Sequence, residues 1–91
     1  MPLTIRQSTR FRRDVKRLGR QGADLSKLES VIRTLVAQAP LDEKLRDHAL
    51  TGDWGGYRDC HIQPDWLLLY RVADDELQLA RTGSHAELFG K

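Results

Sequence analysis

Residues 58–70 of this chain read RDCHIQPDWLLLY, and this stretch organises the C-terminal half of the molecule. The apolar run that begins at Trp66 is typical of a central strand covered on both faces. The segment before it alternates in polarity, so Asp59 and His61 are predicted to share the strand face that points away from Cys60. The QPD between the two segments is a turn, which predicts an antiparallel hairpin.

The remaining chain supplies two helices and two more strands. Residues 3–6 and 77–82 alternate in polarity, whereas apolar residues recur at helical spacing over residues 11–18 and 25–36. The order β-α-α-β-β-β predicts an α+β fold, in which both N-terminal helices pack on one face of a mainly antiparallel sheet. We expect residues 1–91 to form a single domain, because so short a chain has no room for a second hydrophobic core.

Composition favours a cytoplasmic protein without a membrane partner. Of the 91 residues, 40% are hydrophobic and 31% are charged, and no apolar run approaches the ~20 residues that a transmembrane helix needs. The N-terminus lacks the apolar segment of a secretory signal, and the one cysteine cannot form an internal disulfide.

Charge is unevenly distributed along the chain. Residues 1–39 carry nine Lys or Arg against three acids, whereas residues 40–91 carry six against ten. Four basic residues that flank the apolar stripe of the first helix are expected to stay exposed: Arg12, Arg13, Lys16 and Arg17. A basic surface favours a polyanionic partner such as RNA or DNA, although a solvated helix face explains the same charges.

All three histidines lie in the C-terminal half: His48, His61 and His85. The predicted sheet can bring them to one edge, where Asp65 could orient a histidine. Histidine suits proton transfer near neutral pH. We expect no metal and no cofactor, because the histidine spacings match no compact metal motif and the sequence has no phosphate-binding loop.

Metal-free acid–base cleavage of RNA fits this set of histidines with a neighbouring aspartate. RNA supplies its own nucleophile, the 2′-OH, so an enzyme must remove one proton, stabilise charge on phosphorus and protonate the leaving oxygen. Trp66 and Phe89 could hold an unstacked base. Each of these residues also has a structural alternative, since an aromatic residue beside an apolar strand can belong to the core.

Two longer motifs resemble one known family. DHALTGDWGGYRDCHIQPDWLLLY at residues 47–70 and RTGSHAELFG at residues 81–90 resemble the YafQ-like branch of the RelE/ParE toxin superfamily. The resemblance implies a compact sheet with two helices on one face. It also implies a ribosome-dependent mRNA endonuclease, the toxin of a type II toxin–antitoxin pair.

The resemblance implies roles for individual residues. The family's functional positions match His48, His61, Asp65, Trp66, His85 and Phe89. His85 would be the general acid, while His61 and His48 would share the 2′-OH proton and the transition-state charge. Asp65 would position a histidine, Trp66 and Phe89 would bind substrate, and Arg81 would contact a phosphate.

The implied partners are a cognate antitoxin, the 70S ribosome with its mRNA, and operator DNA bound through the antitoxin. The four basic residues of the first helix would then contact ribosomal RNA. The alternative is a ParE-like toxin that inhibits DNA gyrase by binding alone. The set of three histidines argues against it, because a binding inhibitor does not need them.

Overall fold

The computed structural model describes residues 1–90, which contain five strands and three α-helices. In chain order the elements are β1 (Thr4–Gln7), α1 (Thr9–Arg20), α2 (Leu25–Val36), β2 (His48–Ala49), β3 (Arg58–Gln63), β4 (Trp66–Ala73), β5 (Glu76–Gly83) and α3 (His85–Phe89). The predicted α+β class and order are confirmed. The structure also contains the two-residue strand β2, which was not predicted. No alternation of polarity marks this strand, and it forms by non-local pairing with β3.

The sheet has the order β1-β5-β4-β3-β2. Only β1 pairs in parallel, with β5, and the other neighbours within residues 1–90 are antiparallel. His61 pairs with Leu67, which pairs in turn with Gly83 at the end of β5. His48 pairs with Asp59. This register brings three histidine-bearing segments to one corner of the sheet.

Side chains of β4 alternate between two apolar clusters. Leu68 and Tyr70 belong to the larger one, together with Phe11 of α1 and Leu28 of α2. Leu67 and Leu69 lie on the opposite face, which is called the open face below. Leu88 of α3 covers part of that face, with Leu50, Trp54, Ala80 and Phe89 packed around it. Both faces of the strand are covered, which explains its uninterrupted apolar run.

A buried carboxylate ties α1 to β5. Asp14 accepts hydrogen bonds from Arg17 (2.8 Å), from Arg81 (2.8 and 3.0 Å) and from the Thr82 backbone N–H (3.1 Å). Burial by itself raises the pKa of Asp14, but these hydrogen bonds outweigh it and hold the pKa below its ordinary value. Helical periodicity placed Asp14 on α1 and offered no sign that it is buried.

The same network extends to α3. Arg17 forms an ion pair with Glu87 (Nε–Oε2 2.6 Å) and donates to the Thr82 carbonyl (3.2 Å). A Cβ atom at Gly83 would lie 2.7 Å from Arg17 Nη2 and 2.9 Å from Glu87 Oε1, so glycine leaves space for this contact. No helix within residues 1–90 has the length and apolar character that crossing a bilayer requires.

Candidate active site

The structure brings the three histidines together in a row on the open face. The ring centroids of His48 and His61 are 6.2 Å apart, and those of His61 and His85 are 5.7 Å apart. His61 therefore lies at the centre, within reach of both neighbours through one intervening group. A cluster of this kind can hold a reacting phosphate between two proton-transfer groups.

His85 is anchored by Asp65. Asp65 Oδ1 lies 2.7 Å from His85 Nδ1 and also accepts the His85 backbone N–H at 3.0 Å. These hydrogen bonds, the backbone one first, hold the pKa of Asp65 below its ordinary value, so the carboxylate is ionised at neutral pH. An ionised carboxylate only accepts, so Nδ1 carries a proton and Nε2 is the nitrogen available for proton transfer.

The start of α3 holds the His85 backbone in place. Ser84 caps this helix, its hydroxyl accepting from the Glu87 N–H (3.1 Å) while Glu87 accepts from the Ser84 N–H (2.9 Å). Glu87 is the partner of Arg17, so the cap is joined to α1. The position of His85 thus depends on contacts from α1, the turn before β4, and α3 itself.

His48 is oriented in the same sense from the opposite end of the row. Its Nδ1 lies 2.7 Å from the Arg46 carbonyl oxygen and 3.2 Å from Asp59 Oδ1. A carbonyl only accepts, so Nδ1 carries the proton and Nε2 is left with a free lone pair. Arg46 adopts a left-handed conformation (φ 48°), which turns the chain into β2.

Asp59 is a buried acid beneath the histidines, and no sequence pattern marked it as a site residue. Its side chain is 6% exposed. Burial raises the pKa of Asp59, and the proximity of His48, His61 and His85 partly offsets this effect. Strand alternation placed Asp59 on the same face as His61. What distinguishes it from the surface acids is its burial, which the sequence does not show.

His61 itself has few polar contacts. Its Nδ1 is buried and has no hydrogen-bond partner within residues 1–90. The ring is held by its neighbours in the row and by the pairing of its backbone with Leu67. A polar atom left unpaired inside a protein costs about 1–3 kcal/mol, a cost more often found at functional sites than in a structural core.

Two residues predicted to bind substrate lie inside the protein instead. Trp66 is 6% exposed in the cluster on the helix side, where its indole N–H donates to Thr82 Oγ1 at 2.9 Å. The Arg81 side chain is 14% exposed and bound to Asp14. Phe89, by contrast, is half-buried on the open face, beside the helix that begins at His85.

The predicted ribosome-binding residues divide into two groups. Arg12, Arg13 and Lys16 are exposed on α1, on the side of the sheet away from the histidines. Arg17 is half-buried and committed to Asp14 and Glu87. Its ion pairs leave it little freedom to serve as a surface contact.

A cavity of about 990 Å³ adjoins His61 and His85 between α2 and the end of β3. Its lining carries three basic residues, Lys27, Lys44 and Arg46, against one acid, Asp42. Its size and charge suit a segment of an RNA strand. Within residues 1–90, no three His, Cys, Asp or Glu side chains are arranged to hold a metal ion, and the expectation of metal-free chemistry stays a prediction.

Comparison with known proteins identifies the family. Residues 3–90 match the family described as bacterial toxin of type II toxin-antitoxin system, YafQ. The chain belongs to the YafQ toxin family. The mRNA interferase toxin YafQ of Escherichia coli strain K12 is 41% identical over 87 residues, which span 94% of this chain and 95% of that protein.

Solved toxin structures share the fold. The E. coli DinJ-YafQ toxin-antitoxin complex contains a chain 40% identical to this one, with a TM-score of 0.90 over 99% of this chain and 100% of that chain. A metal-bound toxin from Helicobacter pylori is 43% identical, with a TM-score of 0.90 over 96% and 99%. The predicted resemblance to YafQ and the type II toxin class are confirmed, and the ParE-like alternative is not favoured.

Proposed function

We propose that this YafQ-family toxin is an mRNA interferase, an endoribonuclease that cleaves mRNA on the ribosome and so stops translation. The observation that carries the proposal is the orientation of the two outer histidines. His48 and His85 each have Nδ1 held by an acceptor at 2.7 Å, and both have Nε2 free for proton transfer. The 41% identity to the E. coli mRNA interferase supports the same activity.

The reaction needs one base and one acid. Neutral His48 takes the proton of the 2′-OH on Nε2, and the resulting oxyanion attacks the adjacent phosphorus. Protonated His85 gives its Nε2 proton to the 5′-oxygen as the P–O5′ bond breaks. The products are a 2′,3′-cyclic phosphate and a 5′-hydroxyl, with His48 left protonated and His85 neutral.

The other residues position groups or stabilise charge. His61, between the two proton-transfer groups, faces the phosphate as its negative charge increases. Asp65 fixes the tautomer of His85, the Arg46 carbonyl fixes that of His48, and Asp59 lies beneath His48 with Oδ1 3.2 Å from Nδ1. Phe89 stacks on a base beside His85, and the basic cavity lined by Lys27, Lys44 and Arg46 holds the strand.

The exposed arginines and lysine of α1 suit ribosomal RNA, because positive charge is attracted to its phosphate backbone whatever the base sequence. The cognate partner is an antitoxin, as the DinJ-YafQ complex shows for the E. coli relative. The toxin–antitoxin complex binds its operator DNA through the antitoxin. Residues 1–91 act as one domain in the cytoplasm.

Mapping of mRNA 5′ ends on programmed ribosomes tests the function. Wild-type toxin should create new ends with a 5′-hydroxyl, and folded His85→Ala should create almost none. A gyrase supercoiling assay with the same protein tests the alternative class. Gyrase inhibition without new mRNA ends would refute the proposal.

A further inference from the structure

A second cavity lies on the open face and shares no lining residue with the cavity beside the histidines. It encloses about 430 Å³, and its lining includes Arg6, Arg10, Arg71, Trp54 and Tyr57. None of its lining residues within 1–90 is acidic. The volume is within the range that accommodates a small organic ligand or one nucleotide.

Two of the three arginines in this pocket, Arg10 and Arg71, form no ion pair within residues 1–90, and the third forms a weak one. Arg71 lies with its guanidinium carbon 4.8 Å from the centre of the Tyr57 ring, and its Nε and Nη2 donate to Gln78 Oε1 at 2.9 and 2.6 Å. The acceptor is a neutral amide, whose own nitrogen donates to Glu76 at 3.1 Å, and Arg71 has no direct contact with a carboxylate within residues 1–90. Arg6 reaches Glu76 only at 3.6 Å from a side chain 72% exposed, a weak contact. Arg10 forms no ion pair within residues 1–90.

Two aromatic rings complete the pocket. Trp54 and Tyr57 meet edge to face with centroids 5.3 Å apart, and both are half-buried. Aromatic rings beside arginines are the features with which proteins bind single-stranded nucleic acid, since every base offers a π-face and every nucleotide a phosphate. An acidic peptide would use the charges but would not need the paired rings.

The pocket is aligned with the histidine row along the sheet. Arg6 and Arg71 both pair with Gln78 on neighbouring strands, so the three share one row of the open face. His61 pairs with Leu67, four residues before Arg71 on β4, which places the two rows ~13 Å apart along the strand. Leu69 lies between the two rows and is fully buried beneath a cover that includes Trp54, Ala80, Leu88 and Phe89. The separation is short enough for one RNA strand to reach both rows across this apolar cover.

We propose that this pocket is a second nucleotide subsite, which binds a base and phosphate of the same RNA strand whose backbone is cleaved at the histidines. The inference rests on the proposed function and adds a subsite to it. Because stacking and phosphate contacts do not read base identity, the pocket strengthens binding and sets the placement of the strand without selecting a sequence.

Binding of uncleavable RNA tests the subsite separately from cleavage. A fluorescein-labelled hexanucleotide and a dinucleotide, both with 2′-O-methyl riboses, would be titrated by anisotropy. The pocket variant is Arg6→Gln with Arg71→Gln, and the matched control is Arg20→Gln with Arg33→Gln, which removes the same charge outside both cavities. We expect the pocket variant to bind the hexanucleotide at least ~10-fold more weakly and the control to change it less than ~3-fold.

Two further measurements make the result decisive. The pocket variant should lose less affinity for the dinucleotide than for the hexanucleotide, because the dinucleotide is too short to span both rows and can still bind at the histidines. Arg10→Gln, an exposed position, should weaken hexanucleotide binding in the same direction even if the double variant folds poorly. Equal losses in pocket and control variants would show a general charge effect and overturn the inference.

A third outcome would assign the pocket to a protein. Unchanged RNA binding together with a lost affinity for the purified antitoxin would make it an antitoxin contact. The binding assay uses RNA that cannot be cleaved, so its result does not depend on catalysis. Absence of mRNA cleavage in the separate ribosome assay would therefore count against the proposed function alone. Normal cleavage with no pocket effect would count against the subsite alone.

Discussion

His85 Nδ1 lies 2.7 Å from Asp65 Oδ1, and the same oxygen accepts the backbone N–H of His85 at 3.0 Å. One carboxylate thus fixes both the ring tautomer and the first residue of α3. Because Asp65 lies in the turn between β3 and β4, the hairpin directly sets the position of the proposed general acid.

His85→Ala should reduce single-turnover cleavage on ribosomes by ~10²–10⁴-fold, the usual contribution of a general acid. Asp65→Asn should reduce it by up to ~10⁴-fold, because an amide can donate to Nδ1 and stabilise the wrong tautomer. The double variant should be no worse than His85→Ala, since Asp65 acts through that ring. Additive losses would contradict this dependence. Asp53→Asn, an exposed acid, is the control.

Asp59→Asn should lower cleavage while leaving the protein as stable as wild type, or more stable, at pH 7. The pKa of Asp59 is raised by burial, so its contribution to stability is present below the unfolded value of ~3.9 and is lost as pH rises through the folded pKa. Urea unfolding at pH 3 and pH 7 should show the variant gaining on wild type as pH rises. The opposite trend would mean that the ionised carboxylate is stabilised by its histidines.

Asp14→Ala should lower the free energy of unfolding by about 3–5 kcal/mol, because it leaves Arg81 buried without its partner. The pKa of Asp14 lies below its ordinary value, so its stabilisation is full above the unfolded value of ~3.9 and is lost as pH falls through the folded pKa. The stability gap between wild type and Asp14→Asn should therefore shrink below about pH 4. A gap independent of pH would rule out an ionised Asp14.

Arg12→Gln, Arg13→Gln and Lys16→Gln combined should weaken ribosome binding and make it less dependent on salt, with little change in thermal stability. These side chains are exposed, so their charge is available to rRNA. Arg17→Gln should instead lower stability and slow cleavage on ribosomes already saturated with toxin. The reason is that Arg17 joins Asp14 to the cap of α3. Sedimentation with 70S ribosomes separates the two effects. Equal ribosome affinity for the triple variant and wild type would leave the basic face without a role in binding.

Chelation of free metal should leave cleavage intact, because the 2′-OH supplies the nucleophile and histidines move both protons. Toxin treated with EDTA and returned to ribosomes in magnesium alone should cleave at the untreated rate and leave a 2′,3′-cyclic phosphate. The metal-bound H. pylori relative makes this measurement informative. Recovery of activity only after adding a transition metal, or a 3′-hydroxyl product, would contradict the acid–base mechanism.

Much of the site could be predicted because it depends on local patterns. Alternation in β3 placed His61 and Asp59 on one face, and the short turns on either side of β4 brought the segment of His85 beside it. The turn aspartate Asp65 was recognised for the same reason. What could not be predicted was the pairing of His48, which depends on a strand of two residues and a left-handed turn at Arg46.

The amino-acid sequence by itself determined the order of the elements and the face on which each strand residue lies, because periodicity is a property of neighbouring residues. Only the tertiary structure decided which polar side chains are buried and what they bind. Asp14 and Arg81, 67 positions apart, become partners when α1 packs on β5, where the register of β5 against β4 shifts between Leu69 and Tyr70. Trp66 likewise points into the protein, where its indole N–H donates to Thr82. Burial and pairing of residues so far apart in the sequence follow from packing, and local sequence patterns carry no information about them.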